Sequence, residues 1–509
     1  VLTEDEAIEI AAHLRGELEA ERTDLDVLRQ YVTGQQALPL VVPRTAPVEV
    51  RELARTARIN LIAIVVQSLV ESLYVDNIRM TDSPTPAANT RLDLPAPSLD
   101  PGAGVDPDEP LAPIWQTWQA NRFDRGQSGL YRAVFTYGYG YVVVTPGEPT
   151  PVMRAVSPRR MHAVYDDDDP TWPVFAIEWR KAHGGTRYRL YALDADGNAG
   201  VYVLGYDRKA DRFGLIDAFP LDLPYLPIIR YVPFDDLDAD DEPVRVANLG
   251  NGANQLVSVL TAGEVAPLMT LQDQTDISSF ALKSAEWYSA FRQRWIVGWT
   301  PERASDKMTA AASQMWTFDE DPESVRLGEF SETTLDGFLR SREAVLKYAA
   351  TLSQTPVHEL IGELVNLSAE ALAAAEAGRD RKVELGKTSL GESHEQLAQC
   401  IGDLRGVDVP DDIETVWRDT SARAFGAVVD GLGKIAQMLN VPADMLWDRI
   451  PGATRQDVER WRARAKEGDS MASLTALLGQ QATPPPGAPA SSGLLLPNGQ
   501  PAPPSGAPA

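Results

Sequence analysis

Gly386-Lys387-Thr388 has the ending of a phosphate-binding loop, whose chemistry needs backbone amides around a phosphate and a lysine reaching over it. That loop requires a further glycine five residues before Gly386, and Arg381 stands there. The tripeptide also falls inside a stretch with helical periodicity rather than between a strand and a helix. Gly250-Asn251-Gly252 begins like a dinucleotide fingerprint, but Gln255 holds the third glycine position. His358-Glu359 opens like the helical motif of a zinc hydrolase, yet Gly362 stands where the second histidine must face the metal, and His394-Glu395 fails in the same way at Ala398. Five histidines scattered along the chain give no support to a catalytic triad. The run Asp166 to Asp169 reads as a solvated turn rather than a cation site. The expectation is a chain with no catalytic residues, no metal and no cofactor.

The elements that would have to position any site belong to a large folded protein. The 509 residues are 44% hydrophobic and 24% charged, the composition of a soluble globular chain with more than one core. A formal net charge of -26 argues against a protein that grips phosphate backbones, which needs clustered Lys and Arg in excess. Neither a helix-turn-helix nor a zinc-finger spacing is present. The single Cys400 excludes intrachain disulfides and cysteine-based zinc sites, and suits a reducing compartment. The longest apolar stretch, around Ile59 to Val70, is broken by Gln67 and Ser68 and falls short of the ~20 residues that span a bilayer, so no membrane association is expected. The first residues, Val1 to Glu6, are acidic where a signal peptide is basic, so no export signal is expected.

Periodicity orders the chain. Thr3 with Glu6 forms a capping-box pattern, followed by Ile8, Ala11, Ala12, Leu18, Leu25, Leu28 and Val32 at helical spacing up to Gly34. A second helix is predicted over Arg51 to Leu73, and a short one over Leu111 to Asp124, after an aperiodic Pro- and Asp-rich excursion from Ser83 to Pro113. Between Leu130 and Tyr231 the runs 141–144, 175–179, 188–191 and 201–204 predict antiparallel strands. A helix is predicted over Ala253 to Ser284, with Pro267 inside it expected to kink or break it. Strands at 294–299 and 314–318 would bracket a small α/β insertion. Helices follow at Thr333 to Ser353 and from a Ser368 cap to Leu404, the latter carrying Val383, Leu390, Leu397 and Leu404 every seven residues. Such a stripe serves helix packing in an assembly or a buried core equally well. A strand at 413–417, helices at Ser421 to Leu439, Ala443 to Ile450 and Thr454 to Lys466, and a disordered Pro-rich tail from Thr483 complete the chain.

Several segments together resemble the portal proteins of long-tailed bacteriophages, above all those infecting actinobacteria. They span roughly Tyr31 to Trp461. Tyr31, Gly34, Leu38 and Pro39 resemble the family's helix-ending segment; Asn60, Val65 and Val66 its second helix; and Trp118 and Asn121, followed by Gly138, Gly140, Tyr141, Val142 and Val144, the approach to its β-rich wing. Glu286 to Gly298, reading EWYSAFRQRWIVG, resembles the passage from stem helix into clip. Asn366 to Leu372 resembles the start of the tunnel helix, with Leu367 where proline is commoner, and Val416 to Ser421 the strand and turn entering the crown.

The resemblance implies an α+β, portal-type subunit: wing 1–245, stem helix 246–285, clip 286–332, second stem helix 333–353, tunnel loop 354–367, long helix 368–408, returning strand 409–420, crown helices 421–480 and tail 481–509. It implies a homo-oligomeric ring, usually of twelve, at one capsid vertex of the virion, assembled in the host cytoplasm and surrounding double-stranded DNA. The implied partners are the terminase large subunit, a head-tail adaptor, and the major capsid or scaffolding protein. His358, Glu359, Glu363 and Asn366 become candidates for the channel loop, and Arg292, Arg294, Trp295 and Trp299 for clip interfaces. The competing readings are a packaging-associated nuclease or ATPase and a non-viral helical scaffold.

Overall fold

The computed structural model describes residues 2–37, 39, 45–80, 111–166, 169–182, 185–194, 196–234, 245–246, 255–256, 263–290, 294–297, 326–329, 334–362, 369–418, 425–439, 441–447, 450, 458, 460–462 and 464–465. The chain divides into two compact units, Val1–Ala424 and Phe425–Ala509. In chain order the helices are α1 (Glu4–Val32), α2 (Val48–Thr56), α3 (Leu61–Glu71), α4 (Ala112–Ala120), α5 (Phe123–Tyr137), α6 (Met269–Ala290), α7 (Asp336–Ser353), α8 (Val357–Ile361), α9 (Ala369–Arg405) and α10 (Phe425–Leu439). The strands are β1 (Val75–Met80), β2 (Gly140–Thr145), β3 (Val152–Val156), β4 (Met161–Tyr165), β5 (Pro173–Ala182), β6 (Gly185–Leu193), β7 (Ala199–Asp207), β8 (Arg212–Pro220), β9 (Ile228–Tyr231), β10 (Arg245–Val246), β11 (Gln255–Leu256), β12 (Arg294–Val297), β13 (Arg326–Glu329) and β14 (Ile413–Trp417). It is a mixed helix-and-sheet protein, and every strand pairing among the described residues is antiparallel.

α1 starts at the capping box the sequence predicts: Thr3 accepts from the Glu6 amide while the Glu6 carboxylate accepts from the Thr3 amide, and Gly34 beyond its end adopts φ +67°. Its buried stripe, Ala7, Ala11, Leu14 and Leu18, packs on Ile177, Tyr188, Leu190, Tyr202 and Leu204 from one face of the five-stranded sheet β4-β5-β6-β7-β8. The opposite face closes a second core with the three-stranded sheet β3-β2-β9. The largest core joins α3, α4, α5, α9, β2 and β14.

Three expectations are revised, and one left open is resolved. The stretch Val48–Glu71 is apolar enough by composition to cross a membrane, and the sequence predicts one helix there. It is two helices, broken at 57–60, because Asn60 caps α3 by accepting from the Ala63 amide and donates to the Val32 carbonyl at 2.7 Å. α3 buries seven side chains in the protein core. α5 carries helix past the expected end at Asp124 and into the start of the region expected to be β-rich from Leu130; Gly126, Ser128 and Gly129 lower its helix propensity, while Tyr131, Val134 and Phe135 on its inner face are buried. Pro267 does not kink a helix: it sits in a 3-10 turn, Ala266–Leu268, from which α6 begins, and Gln255–Leu256 upstream is strand. The seven-residue stripe on α9 belongs to the subunit's own core, with Val383 5%, Leu390 0% and Leu397 0% exposed and Leu404 packed against it.

The predicted strand at 314–318, the Ser368 cap, most of the helix predicted at 454–466 and the tail from Thr483 lie outside the described residues. The helix predicted at 443–450 is a 3-10 turn, Ala443–Met445.

A buried polar layer ties α1, α3 and α6 together. Gln36 donates to Asp276 at 3.0 Å, the Ile59 amide to Asp276 at 3.3 Å, the Leu61 amide to Gln272 at 3.0 Å and the Tyr31 hydroxyl to Asp273 at 3.0 Å. Burial pushes the Asp273 carboxyl up to about 6; the Tyr31 hydrogen bond opposes this shift and the Asp276 charge adds to it.

Candidate functional site

Residues 354–362 are the described part of the link from α7 to α9, and their shape follows from their sequence. α7 ends where Gln354 turns left-handed at φ +57°, Pro356 then opens α8, and Gly362 closes it at φ +76° with its amide donating to the His358 carbonyl at 2.8 Å. The same Gly362 that removes the second histidine of a zinc motif is therefore the residue that ends this helix. Thr355 and Leu360 are buried, whereas Val357 is 40% exposed.

One ion pair holds the segment against α9, and a second ties α9 to the chain entering α6. The Arg379 guanidinium pairs with Glu359, lies 3.7 Å from a Glu376 oxygen and donates to the Ser68 hydroxyl of α3 at 3.4 Å. Lys382 pairs with Glu264 at 2.6 Å and donates to the Ser353 carbonyl at 3.3 Å, which ties the end of α7 to the chain entering α6. Glu264 is buried; burial raises its pKa against the opposing pull of Lys382. Its neighbour Gly263 lies so close to α5 that a Cβ there would stand 2.6 Å from the Gly138 nitrogen. Between α7, α8 and α9 opens a cleft of about 1040 Å³, lined by Phe234, Pro356, His358, Arg381, Lys382 and Leu385 among others.

His358, Glu359 and Glu376 bring one ligand-capable atom each within 4.8 Å of one another, a set a divalent ion can use. Arg379 already supplies both carboxylates with a counter-charge, so the cluster acts as an electrostatic latch. Gly386-Lys387-Thr388 lies in the middle of α9, where Lys387 pairs with Glu384 at 2.8 Å, which excludes a phosphate loop there.

Of the channel-loop candidates, His358 and Glu359 sit on α8; Glu363 and Asn366 lie outside the described residues, as do Arg292 and Trp299. Arg294 and Trp295 lie on β12, which pairs with β13 at a register that sets Trp295 opposite Gly328. The indole covers Gly328 so closely that a Cβ would meet it at 2.2 Å, yet Trp295 remains 37% exposed and Val297 58%. Sequence reasoning missed Arg379, Glu376, Lys382 and Glu264. The signal was present: Glu376, Arg379 and Lys382 recur every third residue along one face of a predicted helix.

His394, the other histidine in a truncated zinc motif, is fully buried in an aromatic cage. Its Nε2 lies 2.8 Å from the Tyr131 hydroxyl and its Nδ1 3.0 Å from the Tyr231 hydroxyl, with Trp118 and Trp417 alongside. Burial pulls its pKa down to about 3, so the ring is neutral, donating through one nitrogen and accepting through the other. Its place is in the core.

The sequence profile of the family described as "Phage portal protein, SPP1 Gp6-like" matches residues 12–471, nearly the whole chain. The chain belongs to this phage portal family. The portal is 26% identical over 356 residues to the portal protein of Mycobacterium phage D29, covering 65% of this chain and 67% of that one. It is 24% identical over 357 residues to the portal protein of Mycobacterium phage L5, with the same coverage. Among solved structures it is similar to a chain of the virion of a native gene transfer agent particle, at 13% identity and TM-score 0.40, covering 79% of this chain and 91% of that one. It is also similar to a chain from the neck of the native particle computed with C12 symmetry, at 13% identity and TM-score 0.41, with the same coverage. Family membership makes the protein a structural component of a phage particle.

Proposed function

We propose that copies of this portal close into a ring at one capsid vertex and that double-stranded DNA passes through its centre during packaging and ejection. Membership of the portal family across residues 12–471 carries the reading. The net charge of -26 supports it physically: a carboxylate-rich lining repels the phosphate backbone, whereas each phosphate neutralised by a basic lining adds affinity and drag. The segment 354–367, with His358, Glu359, Glu363 and Asn366, projects toward the lumen, and the Arg379 and Lys382 pairs anchor its base to α9. The antiparallel pair β12 and β13 marks the docking platform for the terminase large subunit and the head-tail adaptor, with Arg292, Arg294, Trp295 and Trp299 as its candidate residues. Exposed Trp295 and Val297 on a two-stranded sheet suit a surface that is covered on assembly. The wing meets capsid or scaffolding protein, and the portal itself performs no catalysis.

The test is genetic. Particles assembled without this chain are expected to form capsids that contain no DNA, with complementation by the wild-type chain restoring packaged genomes. DNA-filled capsids in its absence refute the reading.

A further inference from the structure

Four arginines gather on the face of the five-stranded sheet opposite α1. Glu178 on β5 is buried, and Arg154 of β3 grips it through two parallel bonds of 2.8 and 3.0 Å while the Tyr191 hydroxyl donates to it at 3.2 Å. Glu178 is therefore already satisfied before any other cation approaches. Arg189 stands directly across the ladder from Glu178, and one row further out Arg180 stands directly across from Arg187. Arg180 comes no nearer to Glu178 than 3.9 Å, and no carboxylate among the described residues lies within ion-pair distance of Arg187, which is exposed. Two further carboxylates share this face: Asp217, two strands away from Arg189 across Val203, and Asp207 at the end of β7, which stands opposite Arg212 and accepts from the Lys209 amide at 2.8 Å.

Like charges directly opposite each other weaken a ladder, and here they occur on two central strands of a chain whose net charge is -26. Burial depresses the Arg180 pKa; Glu178 opposes this, while Arg189 and Arg154 add to it, as expected where positive charge is not fully compensated. Continuing the row of Arg180 and Arg187 across the sheet come Gly205 and Gly214, so the surface beside the guanidiniums is bare backbone, with exposed Ile216 overhanging Gly205. A flat shelf with cations along one side accommodates an extended chain bearing carboxylates, each of which two guanidiniums can clasp.

We propose that this arginine cluster is a docking site for a short acidic segment of a partner protein, with Arg180, Arg187 and Arg189 taking its carboxylates and the Gly205-Gly214 shelf its backbone. Charge complementarity selects the occupant. A nucleic-acid duplex needs a long cationic track to offset its repulsion from so acidic a chain, and this face offers a compact cluster. The site stands independently of ring formation.

The test uses the full-length chain, a fluorescein-labelled Glu-rich peptide, a Lys-rich peptide and a short DNA duplex, with binding read by anisotropy across a salt series. The Glu-rich peptide is expected to bind, the Lys-rich peptide to bind at a different place or not at all, and Arg187→Gln to weaken the Glu-rich peptide by about tenfold, with the double substitution Arg180→Gln/Arg187→Gln abolishing it. Arg187 is exposed and has no ion-pair partner among the described residues, so its replacement leaves the fold intact, which thermal melting checks. An absence of Glu-rich peptide binding, binding indifferent to Arg187→Gln, or duplex binding that the substitution removes while peptide binding persists overturns the proposal.

Discussion

Lowering the pH should destabilise the core of the first unit through one residue, His394. The folded protein holds this imidazole at a pKa of about 3, against the ordinary 6.5 of an exposed histidine. Between those values the unfolded chain binds a proton that the folded chain does not, so stability falls as pH drops from 6.5 toward 3 and this contribution levels off below. At ~1.4 kcal/mol for each pH unit, the whole window amounts to about 5 kcal/mol, and the step from pH 6.5 to pH 4 to about 3 kcal/mol. Acidic residues titrate in the same window, so the assay is a difference: urea unfolding of the wild type and of His394→Gln at matched pH. Glutamine presents a donor and an acceptor to Tyr131 and Tyr231 but does not titrate. Trp118 and Trp417, whose rings lie 5.6 and 5.8 Å from His394, supply the fluorescence signal. The substitution costs stability at pH 7, and that cost shrinks by about 3 kcal/mol at pH 4. Parallel profiles for the two proteins would refute the claim that His394 is held neutral by burial.

Arg379→Ala leaves Glu359 and Glu376 without their shared counter-ion; we expect a loss of about 2–3 kcal/mol and faster amide exchange across 357–361, while α1 exchange is unchanged. Unaltered exchange in α8 contradicts the latch. Asp273→Asn mimics the protonated acid that burial favours. Because the folded pKa of about 6 lies above the unfolded value near 3.8, the wild type loses stability as pH rises through that interval. The variant should therefore be more thermostable than wild type at pH 7 and no more so at pH 3.5, as differential scanning fluorimetry at the two values will show.

Local chemistry was legible wherever it was also local in sequence. The Thr3–Glu6 box, Gly34, and the strands around 141–144, 175–179, 188–191 and 201–204 declare themselves within a few residues, because caps, αL glycines and β-branched runs act at that range. β14 was expected as a strand at 413–417, but its partner β1 was not: Arg79 meets Glu414 across 335 positions, and nothing near 75–80 announces that pairing. The break between α2 and α3 combines the local cap at Asn60 with Asp276 and Gln272 of α6, which accept from the Ile59 and Leu61 amides and which no periodicity over 48–71 encodes. α9 carried an ambiguous heptad that only burial resolves. In the candidate site, His358 and Glu359 were visible as a truncated motif. The ion pair that anchors Glu359 depends on Arg379, twenty positions further on, whose charge reads like any surface arginine until the helices are packed.

Whether this chain closes around a hole decides its function. Electron microscopy of the purified full-length protein, averaged along the particle axis, should give closed rings with an empty centre and with density for residues 354–362 nearest that centre. A protein that stays a single subunit at every concentration, or rings whose 354–362 segment lies on the outer rim, would contradict it.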